Sequence, residues 1–359
     1  MVLLDGRSRS PCLTVFGSLA LLTAMACGAP SPSGEPLSPS GATLAPRSPS
    51  ATGFMNPVLA GDFPDPFILR TDDGYFAYAT TDGFNEIQVA KSLDLVTWDH
   101  LGDALPELPS YIGGDTWAPE VAHIGERYVM YYTGRSIQSI RPTGGTAQCI
   151  AVATATSPEG PFVDDGEEPF ICQEALGGSI DASPFQDRDG TWHLLWKNDG
   201  NCCGIPTRIW LQGLSPDGLS LVGQAVDLGI RQDRAWEGIL IEAPSLLEND
   251  GRYHLFFSAN AWDTGGYAVG YATSTELGGP YEDADENPIL TSAGAAAGPG
   301  GQAFVLDHQG DLWMAYHAWH VDSVGYATGG VRAMWIDEVT FEAGRPVVDG
   351  PDSGPQAPP

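Results

Sequence analysis

Asp189-Gly190-Thr191-Trp192-His193-Leu194-Leu195-Trp196-Lys197 is a hairpin turn running into an aromatic-rich strand. Glycine supplies the positive φ that such a turn needs. The same unit, a short apolar stretch, a turn and then an aromatic-rich strand, occurs five times. The second-strand segments are 75–80, 128–133, 192–197, 253–258 and 313–318. Asp73-Gly74, Asp250-Gly251 and Gln309-Gly310 are turns of the same type, and Gly125-Glu126 serves the second unit. Each unit continues into a third apolar strand, as at 150–153, and usually a weaker fourth after a turn such as Ser215-Pro216-Asp217-Gly218. Aligned on Phe76, Tyr128, Trp192, Tyr253 and Trp313, the units recur at intervals of 52, 64, 61 and 60 residues. Helical periodicity is almost absent. The pattern predicts an all-β fold, a five-bladed β-propeller with four-stranded blades over residues 54–349. A β-sandwich would also give many short strands, but no reason for five similar units.

Of the 359 residues, 42% are hydrophobic and 17% charged, a composition that can bury a core. Sixteen Lys+Arg against 46 Asp+Glu leave a net charge of −30. That field repels phosphate backbones and anionic headgroups, so no nucleic acid partner and no acidic substrate is expected. Residues 1–26 read as an export signal, with Arg7 and Arg9 ahead of an apolar run from Leu13 to Leu22. The run is too short for a permanent membrane span, so no transmembrane helix is expected. Cleavage after Ala24-Met25-Ala26 would free the chain. Small residues before Cys27 also resemble a lipoprotein box, although Ala24 stands where leucine is usual. Residues 27–53 follow as a linker, 12 of the 25 from Gly28 to Thr52 being Pro or Ser. Such a tether favours a lipid anchor at Cys27 and an exported protein, extracellular or tethered to the outer surface of the bacterial membrane through Cys27. Residues 350–359 predict a disordered tail. A monomer is expected.

Cys149, Cys172, Cys202 and Cys203 remain in the exported domain, an even number in an oxidising compartment. Three pairings are possible. Cys149 with Cys172, flanking one blade edge, and a vicinal Cys202–Cys203 bridge are favoured. No Cys-x-x-Cys or His-x-x-x-His spacing supports a metal, so no metal ligands are assigned.

Eleven residues before each aligned aromatic stand Asp65, Trp117, Asp181, Glu242 and Gln302. The first strand of a propeller blade lines the central channel, so these positions converge although about 60 residues separate them. One acidic residue alone is usually a solvated surface group. Three at like inward positions, beside backbone-restricting prolines in Phe63-Pro64-Asp65-Pro66, Ile180-Asp181-Ala182-Ser183-Pro184 and Ile241-Glu242-Ala243-Pro244, point to acid–base chemistry. The loops joining strands two and three, at 82–85, 134–148, 198–206, 260–266 and 317–330, are expected to surround the acids. They supply Trp262, Trp319, Tyr326 and the Cys202-Cys203 pair as a rim suited to a carbohydrate. Trp117, Gln302, His317 and Trp262 are the candidate substrate-binding residues.

From about Phe54 to Val348 the chain resembles glycoside hydrolase family 43, inverting arabinofuranosidases, arabinanases and xylosidases on five-bladed propellers. The resemblance is carried by Asn56-Pro57-Val58-Leu59, Asp62-Phe63-Pro64-Asp65-Pro66, Trp117-Ala118-Pro119-Glu120-Val121, Ser179-Ile180-Asp181, Ile241-Glu242-Ala243-Pro244 and Tyr316-His317-Ala318-Trp319. It implies Asp65 as general base, Glu242 as general acid, and Asp181 as the residue that orients the acid and raises its pKa. The chemistry needs one carboxylate ionised to activate water and another protonated to help the leaving oxygen. Many family members carry a histidine after the Gly-Pro-Gly-like turn of the last blade, some using it to hold a central calcium. Here the sequence is Gly298-Pro299-Gly300-Gly301-Gln302, which leaves a channel calcium unsupported and no cofactor required. α-L-Arabinofuranosidase or arabinanase action is expected from Ile241-Glu242-Ala243-Pro244 and Tyr316-His317-Ala318-Trp319, with β-xylosidase as the alternative. Fructan-active propellers are set aside because their Asn-Asp-Pro-Asn, Arg-Asp-Pro and Glu-Cys signatures are missing. A non-catalytic carbohydrate-binding propeller is the alternative of another class, though binding alone gains little from mutually repelling carboxylates.

Overall fold

The computed structural model describes residues 53–359; the export signal and the Pro/Ser-rich stretch through Thr52 lie outside them. The first blade holds β1 (Phe67–Thr71), β2 (Gly74–Ala79), β3 (Gln88–Ser92) and β4 (Trp98–Asp103). The second holds β5 (Trp117–Ile124), β6 (Arg127–Ile140) and β7 (Thr146–Ala155). The third runs through β8 (Ser179–Gln186), β9 (Trp192–Asn198), β10 (Ile209–Leu214) and β11 (Leu221–Asp227). The fourth comprises β12 (Ile241–Asn249), β13 (Arg252–Ala259), β14 (Ala268–Ser274) and β15 (Glu282–Asp283). The fifth comprises β16 (Ala296–Leu306), β17 (Leu312–His320), β18 (Ala333–Glu342) and β19 (Arg345–Val348). All neighbouring strands are antiparallel. In the second blade the fourth strand shrinks to one bridge between Thr154 and Val163. The inner strands touch in the order β1, β5, β8, β12 and β16, and β16 returns to β1, closing a ring.

Five apolar clusters fill the five gaps between neighbouring blades. Each second strand feeds two of them, because successive side chains of a strand point to opposite faces. Phe76 and Tyr78 pack toward the second blade, whereas Tyr75 and Ala77 pack toward the fifth. Leu194 and Trp196 likewise face the second blade, and Leu195 faces the fourth. A strand buried on both faces reads as a continuous apolar run, which is what the repeats showed in sequence.

The stretch 134–148 is not an open loop. β6 and β7 continue through it as a hairpin, pairing Gly134 with Cys149 and Ile140 with Thr146. The segment 350–359, expected to be disordered, is held in place as well. Gln356 pairs with Phe54, and the Asn56 amide donates to Ile336 O at 2.8 Å and Asp352 O at 3.1 Å. Leu59 also bridges to Met334, so both ends of the described chain are fastened to the fifth blade. These partners lie about 280 residues or more away in sequence, beyond what local composition reveals.

Candidate active site

The inner strands share a device that composition does not show. Near its channel end each leaves regular extension at one residue of positive φ: Asp65 at 52°, Ala118 at 41°, Asp181 at 58°, Ala243 at 50° and Gly301 at 62°. Four of the five are not glycine, a strain of roughly 1–3 kcal/mol each that surrounding structure must offset. The N–H so released turns to the preceding blade. Ala118 donates to Thr80 Oγ1 at 2.9 Å, Asp181 to Thr133 Oγ1 at 3.2 Å, Gly301 to Ser258 Oγ at 2.9 Å and Asp65 to His317 Nδ1 at 3.1 Å. These acceptors stand at matching pairing positions on the second strands, or, for Thr80, directly after one. In the third blade that place is taken by Lys197, which has no acceptor, and Ala243 donates instead to Asp181 Oδ2 at 2.9 Å.

This ring corrects the sequence alignment. A fixed step of eleven residues lands on the strained residue at Asp65 and Asp181, one residue early at Trp117 and Glu242, and one late at Gln302. Phe76 and Trp313 sit one register away from Tyr128, Trp192 and Tyr253, and hairpin lengths differ by one. Glu242 therefore occupies the pairing place of Trp117 rather than that of Asp65. All three acids still line one cavity of about 610 Å³, because a bulge turns consecutive side chains toward the same side.

Each acid has a different setting. Burial alone would raise Asp65, but the Arg332 guanidinium, 3.4 Å away, and the Thr80 hydroxyl at 2.7 Å hold its carboxyl far below the usual range. Asp181 is pushed up to about 7, first by burial and then by the neighbouring charge of Glu242, against Lys197. Its side chain is partly exposed within the cavity. Glu242 accepts from Lys197 Nζ at 2.9 Å and from the Tyr267 hydroxyl at 2.8 Å. A raised proton affinity falls on Asp181. Protons of two such neighbours belong to the pair.

Trp117 and Trp262 line the cavity. Gln302 also lines it, but both ends of its amide are engaged, accepting from Ser258 Oγ and donating to Ala243 O, each at 2.6 Å. His317 is wholly buried behind Asp65 and stacks on Tyr267. Its pKa is lowered by burial, so the neutral ring can accept the Asp65 N–H at Nδ1, leaving Nε2 without a partner. A side chain on Gly301 would collide with Asp65 and His317, and one on Gly300 with Tyr267. The glycines of 298–301 therefore serve close approach. Trp319 is buried rather than on the rim, donating to Trp262 O at 2.9 Å and stacking behind that indole. Tyr326 does reach the rim. The structure joins Cys149 to Cys172 and Cys202 to Cys203, and Cys202 lines the cavity beside Asn201 and Asp199.

Sequence reasoning missed Arg332, Lys197, Tyr267 and Glu120. Arg332 lies over Trp262, 4.6 Å from the ring centroid, and donates to the Tyr326 hydroxyl at 3.2 Å, so one cation links Asp65 to the aromatic rim. Glu120 is pushed well above the usual carboxylate range by burial, with Asp181 adding to it. Lys197 had a detectable signal: it is the one cation among Thr80, Thr133, Ser258 and His317 at like places in five repeats. Arg332 had none, since it enters from the residue just before a third strand, β18.

A channel calcium would need six to eight oxygen ligands. His317 offers one nitrogen, and among the described residues no group of three or more His, Cys, Asp or Glu gathers around it at ligating distance. Acidic side chains and His317 alone do not complete that sphere, so other oxygen ligands, water among them, would have to fill it. No helix of the described residues is long and apolar enough to cross a membrane.

Residues 54–346 match the family model described as glycosyl hydrolases family 43. The chain is 31% identical over 288 residues to a xylan 1,3-β-xylosidase of a Vibrio species, covering 74% of this chain and 49% of that protein. It thus spans about half of that relative's length. It is 30% identical over 304 residues to a probable arabinan endo-1,5-α-L-arabinosidase of Aspergillus flavus, covering 76% and 89%. The crystal structure of a thermostable family-43 glycoside hydrolase superposes with a TM-score of 0.76 at 30% identity, over 85% of this chain and 99% of that one. With five blades ringed around three carboxylates and a family match across nearly all of them, this chain belongs to glycosyl hydrolases family 43.

Proposed function

We propose that the protein is an inverting glycoside hydrolase that cleaves pentose linkages of plant polysaccharides or oligosaccharides. One observation carries this reading: Asp65, Asp181 and Glu242 share a cavity but differ in charge setting. Asp65, ionised at any physiological pH, takes a proton from the water that attacks the anomeric carbon. Glu242 gives a proton to the departing oxygen, with the raised carboxyl of Asp181 as its neighbour. Asp181 orients the acid by holding the Ala243 N–H, next to Glu242 in the chain. Trp262, backed by Trp319 and capped by Arg332, offers an apolar face for a sugar ring.

α-L-Arabinofuranosidase or arabinanase action is the main reading, supported by the motifs around Glu242 and His317 and by likeness to the Aspergillus arabinosidase. β-Xylosidase action is the second, supported by likeness to the Vibrio enzyme. Hydrolysis of a panel of aryl pentosides, linear arabinan and xylan separates the two, and proton NMR of the first product should show inverted configuration. Retained configuration would overturn direct displacement, and binding without turnover across the panel would restore a sugar-binding role. Export, with attachment through a lipid on Cys27, belongs to the same proposal and is checked by mass spectrometry of the mature N-terminus.

A further inference from the structure

We propose that Asp233, Glu237 and Asp283 form a calcium site outside the active site, clamping the segment that leads into Glu242 onto the outer strand of the fourth blade. One ligand atom from each of the three lies within 4.8 Å of the others. Two oxygens bound to one Ca²⁺ at 2.3–2.6 Å can be at most about 5 Å apart, so the three fit one coordination sphere with little movement.

Acidic clusters are common at surfaces, but this one has a buried base. Glu237 is completely buried and its Oε1 has no hydrogen-bond partner, and the buried Asp283 Oδ1 has none either. Carboxylate oxygens taken from water and left unmet are costly, and a cation would relieve both at once. The other Glu237 oxygen accepts the N–H groups of Asp233 and Arg234, at 2.8 and 2.9 Å, which fixes the side chain in place. Arg234 does not meet the orphaned atoms. Its guanidinium donates to the carbonyls of Ala284 at 2.8 Å and Asp283 at 3.1 Å, and its Nε stays 3.9 Å from Asp283 Oδ2. A donor set of carboxylate oxygens alone selects a hard cation over zinc or copper.

The position gives the site its consequence. Glu237 O and Leu240 O both accept the Asn260 N–H, at 2.9 and 3.1 Å, and Asn260 opens the loop that carries Trp262. An ion on Glu237 therefore braces the approach to Glu242 and the root of the rim together. This inference is independent of which sugar the enzyme cleaves.

The test is thermal unfolding of the EDTA-treated protein with Ca²⁺ added back, alongside Tb³⁺ luminescence sensitised by Trp236, the chain neighbour of Glu237. Ca²⁺ should raise the midpoint by several degrees and displace the Tb³⁺ signal. Asp233→Asn, at an exposed position that spares the fold, should weaken Ca²⁺ binding ~10-fold or more, as should Asp283→Asn. Trp236→Phe should lose the luminescence and keep the thermal shift. His317→Gln should keep both, which separates the site from any ion in the channel. No Ca²⁺-dependent shift in the wild type, as a proton shared between Glu237 and Asp283 would give, overturns the site. A shift that survives both Asp233→Asn and Asp283→Asn overturns it equally.

Discussion

The buried ammonium of Lys197 lies 2.9 Å from Glu242 Oε2, at the one place in the ring where the other four blades present a hydrogen-bond acceptor. Its positive charge also opposes the rise of Asp181, so it limits how strongly that carboxyl holds its proton. Lys197→Met should let Asp181 stay protonated to higher pH, moving the alkaline limb of kcat/KM upward by about one unit or more. A pH–rate profile checks this. An unmoved limb would mean that Lys197 serves folding alone.

Glu242→Ala should nearly abolish cleavage of natural glycans, whose leaving oxygen needs a proton. An aryl glycoside with an acidic phenol needs little help, so its loss should be much smaller, whereas Asp65→Asn should damage both. General acid–base contributions of about 10²–10⁴-fold make the two patterns easy to separate. Equal losses on both substrates for Glu242→Ala, with chemistry rate-limiting, would move the acid role elsewhere.

Arg332→Met removes the main charge that outweighs burial at Asp65. The base should then protonate at a higher pH, so activity should fall off on the acid side earlier than in the wild type. The Trp262 platform also loses its cationic cap, so KM should rise together with the shifted limb. An unchanged acid limb with raised KM alone would confine Arg332 to sugar binding.

Asp181 has a stability signature of definite sign. Its carboxyl titrates at about 7 in the folded chain against an ordinary 3.8, so the folded state favours the protonated form. The stability this confers is full below about pH 4 and is lost as pH rises toward 7. Asp181→Asn, neutral throughout and still able to accept from Ala243 N–H, should gain roughly 2–4 kcal/mol over the wild type at pH 8 and nothing at pH 4, water in the channel favouring the lower figure. Asp337 and Asp199, raised to about 7 and about 6 by burial, give the same trend in both proteins, so the difference isolates Asp181. Denaturant melts at the two pH values measure it, and a gain equal at both would refute the charge argument.

The ring of blades was legible because strands buried on both faces repeat a visible apolar pattern, and the three acids were legible because prolines mark their bulges. The register was not. Whether Glu242 or Ala243 carries the strained φ depends on hairpin lengths that differ by one residue, and a period-2 strand reads equally well in either phase. Trp319 was assigned to the rim because an aromatic on a loop looks like a platform, whereas its indole N–H had a carbonyl to meet inside. Arg332 acts across blades, and Tyr267 meets Glu242 from just before another strand of the same blade; such pairings leave no trace in local spacing.

The fastening of Phe54 to Gln356 means that the order of blades along the chain is a convention. If those ends were joined by a short linker and the chain reopened between the exposed Glu167 and Glu168, the third blade would come first and the second last. Cys172 would then stand near the new beginning and Cys149 near the new end. The disulfide between them, now a staple across 23 residues, would become a covalent lock on a circular permutant with every pocket side chain in place.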